Sequence, residues 1–144
     1  MSVEENESLI YRVYDEYNKG NYDVYDECFS DDFISYRWDG SVQDKRTYKQ
    51  RLMGFEKQFP GIKRTIQDLI VTDDRAALYY SWTGTDNFQA PGRIPTVKML
   101  RVNEMYFIRF KDGKISEYKQ YTEPHNIAHQ LGMPVPDDPP VNRS

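Results

Sequence analysis

The chain has 144 residues, 38% hydrophobic and 29% charged, with a formal net charge of −4. That balance describes a globular protein of one-domain size with a polar surface, and the lack of any basic stripe argues against nucleic acid as a partner. The lone cysteine, Cys28, excludes an internal disulfide and any multi-cysteine metal site, while no apolar run approaches the ~20 residues of a membrane span.

In chain order, Val3 to Lys19 reads as an amphipathic helix. Leu9, Ile10, Val13, Tyr14 and Tyr17 recur at helical spacing, and Gly20 ends it. Tyr22 to Phe29 is a second short helix, followed by a short strand from Phe33 to Trp38 and a turn at Asp39-Gly40. Asp44 opens a third helix to Phe59, whose stripe is Tyr48, Leu52, Phe55 and Phe59, and Pro60-Gly61 stops it. The hydrophobic period then changes from helical to alternating. Strands are expected over Ile62 to Val71, Arg75 to Phe88, Thr96 to Phe110 and Lys114 to Thr122, the last two joined by a hairpin at Lys111-Asp112-Gly113. Helices followed by long antiparallel strands make an α+β pattern. A strongly curved sheet wrapped by the N-terminal helices would enclose a cavity on its concave face. Residues 1–132 are read as one domain. Residues 133–144, with four of the eight prolines, are read as an extended or disordered tail.

The strand from Lys98 to Phe110 holds the most informative residue. Its alternate positions are Leu100, Val102, Glu104, Tyr106, Ile108 and Phe110, so one acid shares a face with five apolar side chains. A carboxylate buried alone is costly, and the usual outcomes are a raised pKa, a partner or a water-filled pocket. Glu104 is therefore a candidate for proton transfer, with an exposed sheet edge or an arginine partner as the structural alternative. Asp86 continues the parity of Ala76, Leu78, Tyr80, Trp82 and Gly84 and could add a second acid, or simply end the strand. Glu123 stands two residues before His125; the two could form an acid–base pair, or Glu123 could cap a following short helix. Trp38, Tyr80, Trp82, Tyr106 and Tyr118 are candidate ligand contacts, aromatic walls with polar handles where a hydroxyl could stabilise an oxyanion. The two histidines read His125-Asn-Ile-Ala-His129, without the intervening glutamate of a zinc-hydrolase helix, and no metal or cofactor is expected.

Several motifs in sequence order resemble the SnoaL-like polyketide cyclase family of the nuclear-transport-factor-2-like superfamily. They are Phe59-Pro60-Gly61, Ile66-x-Asp68-Leu69-Ile70-Val71-x-Asp73-Asp74-Arg75-Ala76-Ala77, Trp82-x-Gly84-Thr85, Pro95-Thr96-x-Lys98, Arg109-Phe110-x-Asp112-Gly113-Lys114-Ile115-x-Glu117 and Gln130-Leu131-Gly132. The resemblance implies a cone-shaped barrel of helices on a strongly curved antiparallel sheet, enclosing a pocket. It also implies a general acid/base at the end of the last strand, which falls on Glu123, and a homodimer. Two readings follow. One is a cofactor-independent enzyme that enolises a hydrophobic carbonyl compound toward cyclisation, isomerisation or dehydration. The other is a non-catalytic ligand-binding or dimerisation module of the same shape. A cytoplasmic location, away from membranes, is the accompanying expectation.

Overall fold

The computed structural model describes residues 2–134 and 137; most of the tail expected beyond 132 lies outside them. Helix α1 (Val3–Asn18) starts at Ser2, whose hydroxyl accepts from the Glu5 amide at 3.1 Å. Its buried face is Asn6, Ile10, Val13, Tyr14 and Tyr17. Two asparagines fasten that helix to the sheet. Asn6 Nδ2 donates to the carbonyls of Thr72 and Asp73, both at 3.0 Å. Asn18 takes both backbone groups of Arg64, each at 2.7 Å. These bonds fix the helix in register as well as in contact.

Next come α2 (Val24–Cys28), β1 (Phe29–Tyr36), β2 (Val42–Asp44) and α3 (Lys45–Gln58). Asp44 caps α3 by accepting from the Thr47 amide at 2.8 Å. Strands β3 (Lys63–Val71), β4 (Arg75–Thr85), β5 (Met99–Lys111) and β6 (Lys114–Tyr121) follow, and α4 (Pro124–Leu131) closes the described chain. The sheet order is β2-β1-β6-β5-β4-β3. Helices packed on this curved sheet give the α+β class that the sequence pattern implies and the cone that the family resemblance implies. No helix among the described residues is long and apolar enough to cross a membrane.

Four differences from the sequence reading have physical causes. First, the sheet is not wholly antiparallel, because β1 runs parallel to β6. The connection from β1 to β6 passes through four other strands, so the direction is free of any hairpin constraint. Second, β1 begins at Phe29, since the Ser30-Asp31-Asp32 cluster is accommodated in a register shift between Phe29 and Ile34 rather than in a loop. Third, a three-residue strand, β2, pairs with β1 before α3 starts. Fourth, β4 ends at Thr85 and β5 starts at Met99, because Asp86 turns the chain aside. Elsewhere the pattern holds closely. At the β5–β6 hairpin Asp112 (φ 50°) and Gly113 (φ 78°) are both left-handed, as a tight hairpin turn demands. A bulge at Gln67 reverses the parity of β3, so Arg64 and Ile66 face inward before it and Leu69 and Val71 after it.

The core divides into two aromatic groups. At one end Tyr25, Phe29, Phe33, Tyr48 and Tyr118 pack ring against ring, with centroids 4.1–5.8 Å apart. Toward the other, Phe55 and Phe59 of the α3 end meet Trp82 at 5.0 and 5.2 Å. Gly84 makes this second junction possible, because a Cβ there would stand 2.9 Å from Phe59 Cβ and 3.2 Å from the Phe59 carbonyl oxygen. Gly84→Ala should therefore destabilise the protein by about 1–3 kcal/mol through forced displacement of Phe59. A chemical-denaturation midpoint equal to that of the wild type would contradict this account.

Candidate functional site

Between the two aromatic groups the concave sheet face and the helices leave a cavity of about 90 Å³. Strand β5 supplies Glu104, whose side chain points inward with Leu100, Val102, Tyr106 and Ile108, as the alternation requires. Directly opposite Glu104 on β4 is Tyr80, whose hydroxyl donates to Glu104 Oε1 in a very short contact. Thr122, just beyond β6, donates from Oγ1 to Glu104 Oε2 at 2.6 Å. The buried acid is thus satisfied by two hydroxyls rather than by a cation. An ionised carboxylate offers about four lone-pair directions, so roughly half its accepting capacity remains.

The neighbouring rung repeats the arrangement. Tyr106 on β5 faces Gln120 on β6, and Gln120 Nε2 donates to the Tyr106 hydroxyl at 3.3 Å. Tyr48 of α3 approaches the same hydroxyl at 3.4 Å. The rings of Tyr80 and Tyr106 stack with centroids 5.6 Å apart and planes 7° from parallel. Burial, reinforced by the Glu104 charge, pushes Tyr106 up to about 12 and Tyr80 well above its ordinary value. Both phenols are consequently neutral donors at physiological pH.

Three arginines complete the wall. Arg64 of β3 is 6% exposed, lies 5.1 Å over the Tyr17 ring, and has a buried Nη1 with no hydrogen-bond partner. Arg51 of α3 lies 5.0 Å over the Tyr48 ring and donates from Nε to Gln43 at 2.9 Å, while its Nη2 is buried and unpartnered. Arg37, just after β1, points Nε at Gln120 Oε1 at 3.4 Å. Burial, and then the nearby Arg51 charge, hold the Arg37 guanidinium below its ordinary value. Arginine nonetheless stays protonated in proteins. The lining accordingly carries three positive charges and one negative.

Of the residues singled out in the sequence, Glu104, Trp38, Tyr80, Trp82 and Tyr106 line this cavity. Four others do not. Tyr118 faces inward but is consumed in the closed aromatic end, against Phe29, Phe33 and Tyr48. Glu123 follows the inward-pointing Tyr118, Gln120 and Thr122 by one residue and so falls on the opposite parity. Its Oε2 accepts from the Asn103 amide and from Asn126 Nδ2, both at 3.1 Å, which seats α4 against β5. His125 is exposed on the first turn of α4. Asp86 is fully buried, but beneath a loop: it accepts from Arg93 at 2.6 and 3.0 Å, from the Thr96 hydroxyl and amide at 2.6 and 3.0 Å, and from the Phe88 amide at 3.1 Å. Arg93 then donates onward to the Leu131 carbonyl at the end of α4. Among the described residues no cluster of His, Cys, Asp or Glu could hold a metal ion.

Sequence reasoning missed the arginines, Gln120 and Thr122. The signal for the last two was the inward parity of Tyr118; for Arg64 it was its place between Ile62 and Ile66 on one strand face.

Compared with known families, residues 8–131 match the SnoaL-like polyketide cyclases. The chain belongs to that family. No curated protein matches it. Among solved structures, AclR of Streptomyces galilaeus, a proposed hydroxylase, superposes on this SnoaL-like chain with a TM-score of 0.82 at 21% identity, covering 91% of this chain and 98% of its own. IdmH of Streptomyces antibioticus, a proposed polyketide cyclase, reaches 0.79 at 21% identity, covering 88% and 98%. A proposed SnoaL-like cyclase of Jannaschia sp. CCS1 reaches 0.79 at 19%, covering 90% and 93%. At such identities these likenesses establish the fold.

The Asp86–Arg93 pair makes the stability of this SnoaL-like domain sensitive to acid. Arg93 holds the Asp86 carboxyl well below the usual carboxylate range. A depressed folded-state pKa gives stabilisation that is complete above the unfolded value, about 3.9, and is lost as pH falls toward the folded one. Asp86→Asn should cost about 3 kcal/mol near neutrality by stranding Arg93, and the gap in melting temperature from the wild type should close below pH about 4. A gap independent of pH would refute the assignment.

Proposed function

We propose that this SnoaL-like protein is a cofactor-independent enzyme that moves a proton on a small carbonyl compound, with Glu104 as the proton-carrying group. Family membership supports the general type, small-molecule chemistry without a cofactor. The observation that carries the reading is a carboxylate at 9% exposure in an enclosed cavity, oriented on both oxygens by neutral hydroxyls. Hydroxyls fix its direction without cancelling its charge, which suits a base.

In the proposed step a substrate C–H bond adjacent to a carbonyl breaks and its proton passes to a Glu104 oxygen. The electron pair is delocalised onto the carbonyl oxygen as an enolate. The Tyr106 hydroxyl or a guanidinium from the wall would stabilise that oxyanion, in a site with little water to compete. Return of the proton to a different carbon of a conjugated enolate gives isomerisation; its transfer to a β-hydroxyl, which leaves as water, gives dehydration; and attack of the enolate on a second carbonyl of the same molecule, whose new alkoxide takes the proton, gives cyclisation. The apolar part of the lining, including Trp38, Leu52, Phe55 and Ile127, supplies hydrophobic contact for the rest of the substrate.

We also propose a homodimer formed through the outer sheet face. There Tyr79, Met105 and Tyr121 lie side by side across three strands, beside Phe107, and all four are at least 38% exposed. Met105→Glu should shift the sedimentation coefficient to that of a monomer; a wild-type protein already monomeric at micromolar concentration would dispose of the proposal.

Replacing Glu104 by Gln preserves shape and removes the base. Turnover of an enolisable ketone should fall by about 10²–10⁴-fold with ligand binding retained. Equal turnover in E104Q would end the acid–base reading. Tight binding by the wild type without any exchange of substrate protons would favour a binding module instead.

A further inference from the structure

We infer that the ligand of this cavity is a small organic anion, a short oxo acid whose carboxylate is received by Arg51 and Arg64. The oxo group rests on the acid–base reading above; the carboxylate rests on the guanidinium groups alone.

The charge balance is the first argument. Glu104 is the only acid among the lining residues, against Arg37, Arg51 and Arg64, and both of its oxygens already accept from hydroxyls. No ion pair to Glu104 offsets the arginines among the described residues; the buried bridge in the chain, Arg93 with Asp86, lies under the 86–98 loop. A buried cation lacking a counter-charge is costly. Stacking on Tyr17 and Tyr48 compensates each guanidinium only in part. A fold that keeps such an excess is complementary to an anion.

Geometry supplies the second argument. Arg64 Nη1 and Arg51 Nη2 are buried N–H groups with no partner, whereas other contacts position the two side chains: Gln43 accepts from Arg51 Nε, and the Arg64 guanidinium lies against the Tyr17 ring. Rigid guanidinium forks with open N–H groups match a planar carboxylate, which they can grip with paired hydrogen bonds.

Volume sets the third bound. An apolar cavity of about 150 Å³ accommodates benzene, so 90 Å³ limits the enclosed portion to roughly four non-hydrogen atoms by the same measure. That encloses most of a two- or three-carbon oxo acid, and falls far below a fused-ring polyketide. With the carboxylate on Arg51 and Arg64, the carbon skeleton is left to the stretch of wall that Glu104 and Tyr106 occupy.

The experiment compares pyruvate with butane-2,3-dione, a neutral molecule of the same shape in which a methyl replaces the carboxylate oxygen. Binding to the full chain is followed by tryptophan fluorescence, since Trp38 and Trp82 line the cavity, and by melting temperature. Pyruvate should bind saturably and raise the melting temperature, with the dione weaker by roughly thirtyfold or more. Arg51→Gln and Arg64→Gln should each weaken pyruvate by a similar factor. Arg64→Met should abolish the pyruvate-induced shift while the ligand-free protein melts at the same temperature or higher, because it removes an unpaired buried charge. Equal affinity for the dione, unchanged affinity in the arginine variants, or sulfate binding as tightly as pyruvate would each overturn the inference. Exchange of the methyl protons in D₂O separates the two claims. Pyruvate that binds but does not exchange would remove the role of Glu104 and leave the anion site standing; dione that exchanges while pyruvate fails to bind would do the reverse.

Discussion

The register between β4 and β5 sets Tyr80 across from Glu104, and the proposed chemistry depends on that pairing. Slipping β5 by one residue would send Glu104 to the solvent face and bring Asn103 or Met105 inward. What prevents the slip is the set of large side chains that share the face. Leu78, Tyr80 and Trp82 on β4 and Val102, Tyr106 and Ile108 on β5 are all at most 4% exposed. The apolar neighbours of the acid thus provide the energy that holds a polar group where it would not go alone. Burying the acid by itself would be unfavourable; buried as one member of a long apolar row, with Tyr80 and Thr122 on its oxygens, it is tolerated.

The same logic explains why the site is made of hydroxyls and stacked rings. A lysine or arginine paired with Glu104 would satisfy it equally well but would cancel its charge. Tyrosine and threonine donate without adding charge, and burial keeps the phenols protonated. Tyr48 and Tyr17 also give Arg51 and Arg64 aromatic faces to lie against. A tyrosine-rich composition, otherwise compatible with an ordinary core, here lines the boundary between opposite charges.

How much of this was legible beforehand follows from how local each signal is. Glu104 and its stripe stand out because a strand's period of two is written within a dozen residues, and β5 keeps that period without a break until the register shift at Arg109 and Phe110. Tyr80 and Trp82 follow by the same rule. The arginines come from three separate elements, and each looks like a surface residue among its neighbours: Arg64 beside Lys63, Arg51 beside Gln50, Arg37 just before a turn. Only the closure of the sheet brings them together, and the bulge at Gln67 hides the parity of β3 from any simple count. Glu123 shows the converse. Resemblance to the family pointed to it as the acid, but the strand parity that carries Gln120 and Thr122 inward carries Glu123 out, into bonds with Asn103 and Asn126.

The 86–98 segment illustrates how a strongly bonded acid can be structural. Asp86 accepts five hydrogen bonds from three residues, so its carboxylate is saturated and its proton affinity is driven down. Glu104 accepts two, both from neutral groups, and keeps capacity for another proton donor. Saturation by a cation makes an acid inert and a loop rigid. Partial satisfaction by hydroxyls leaves an acid oriented, with accepting capacity to spare. These two buried carboxylates, in one small domain, separate on that ground: Asp86 holds the strand connection, and the spare accepting capacity of Glu104 supports the proton-carrying role proposed for it.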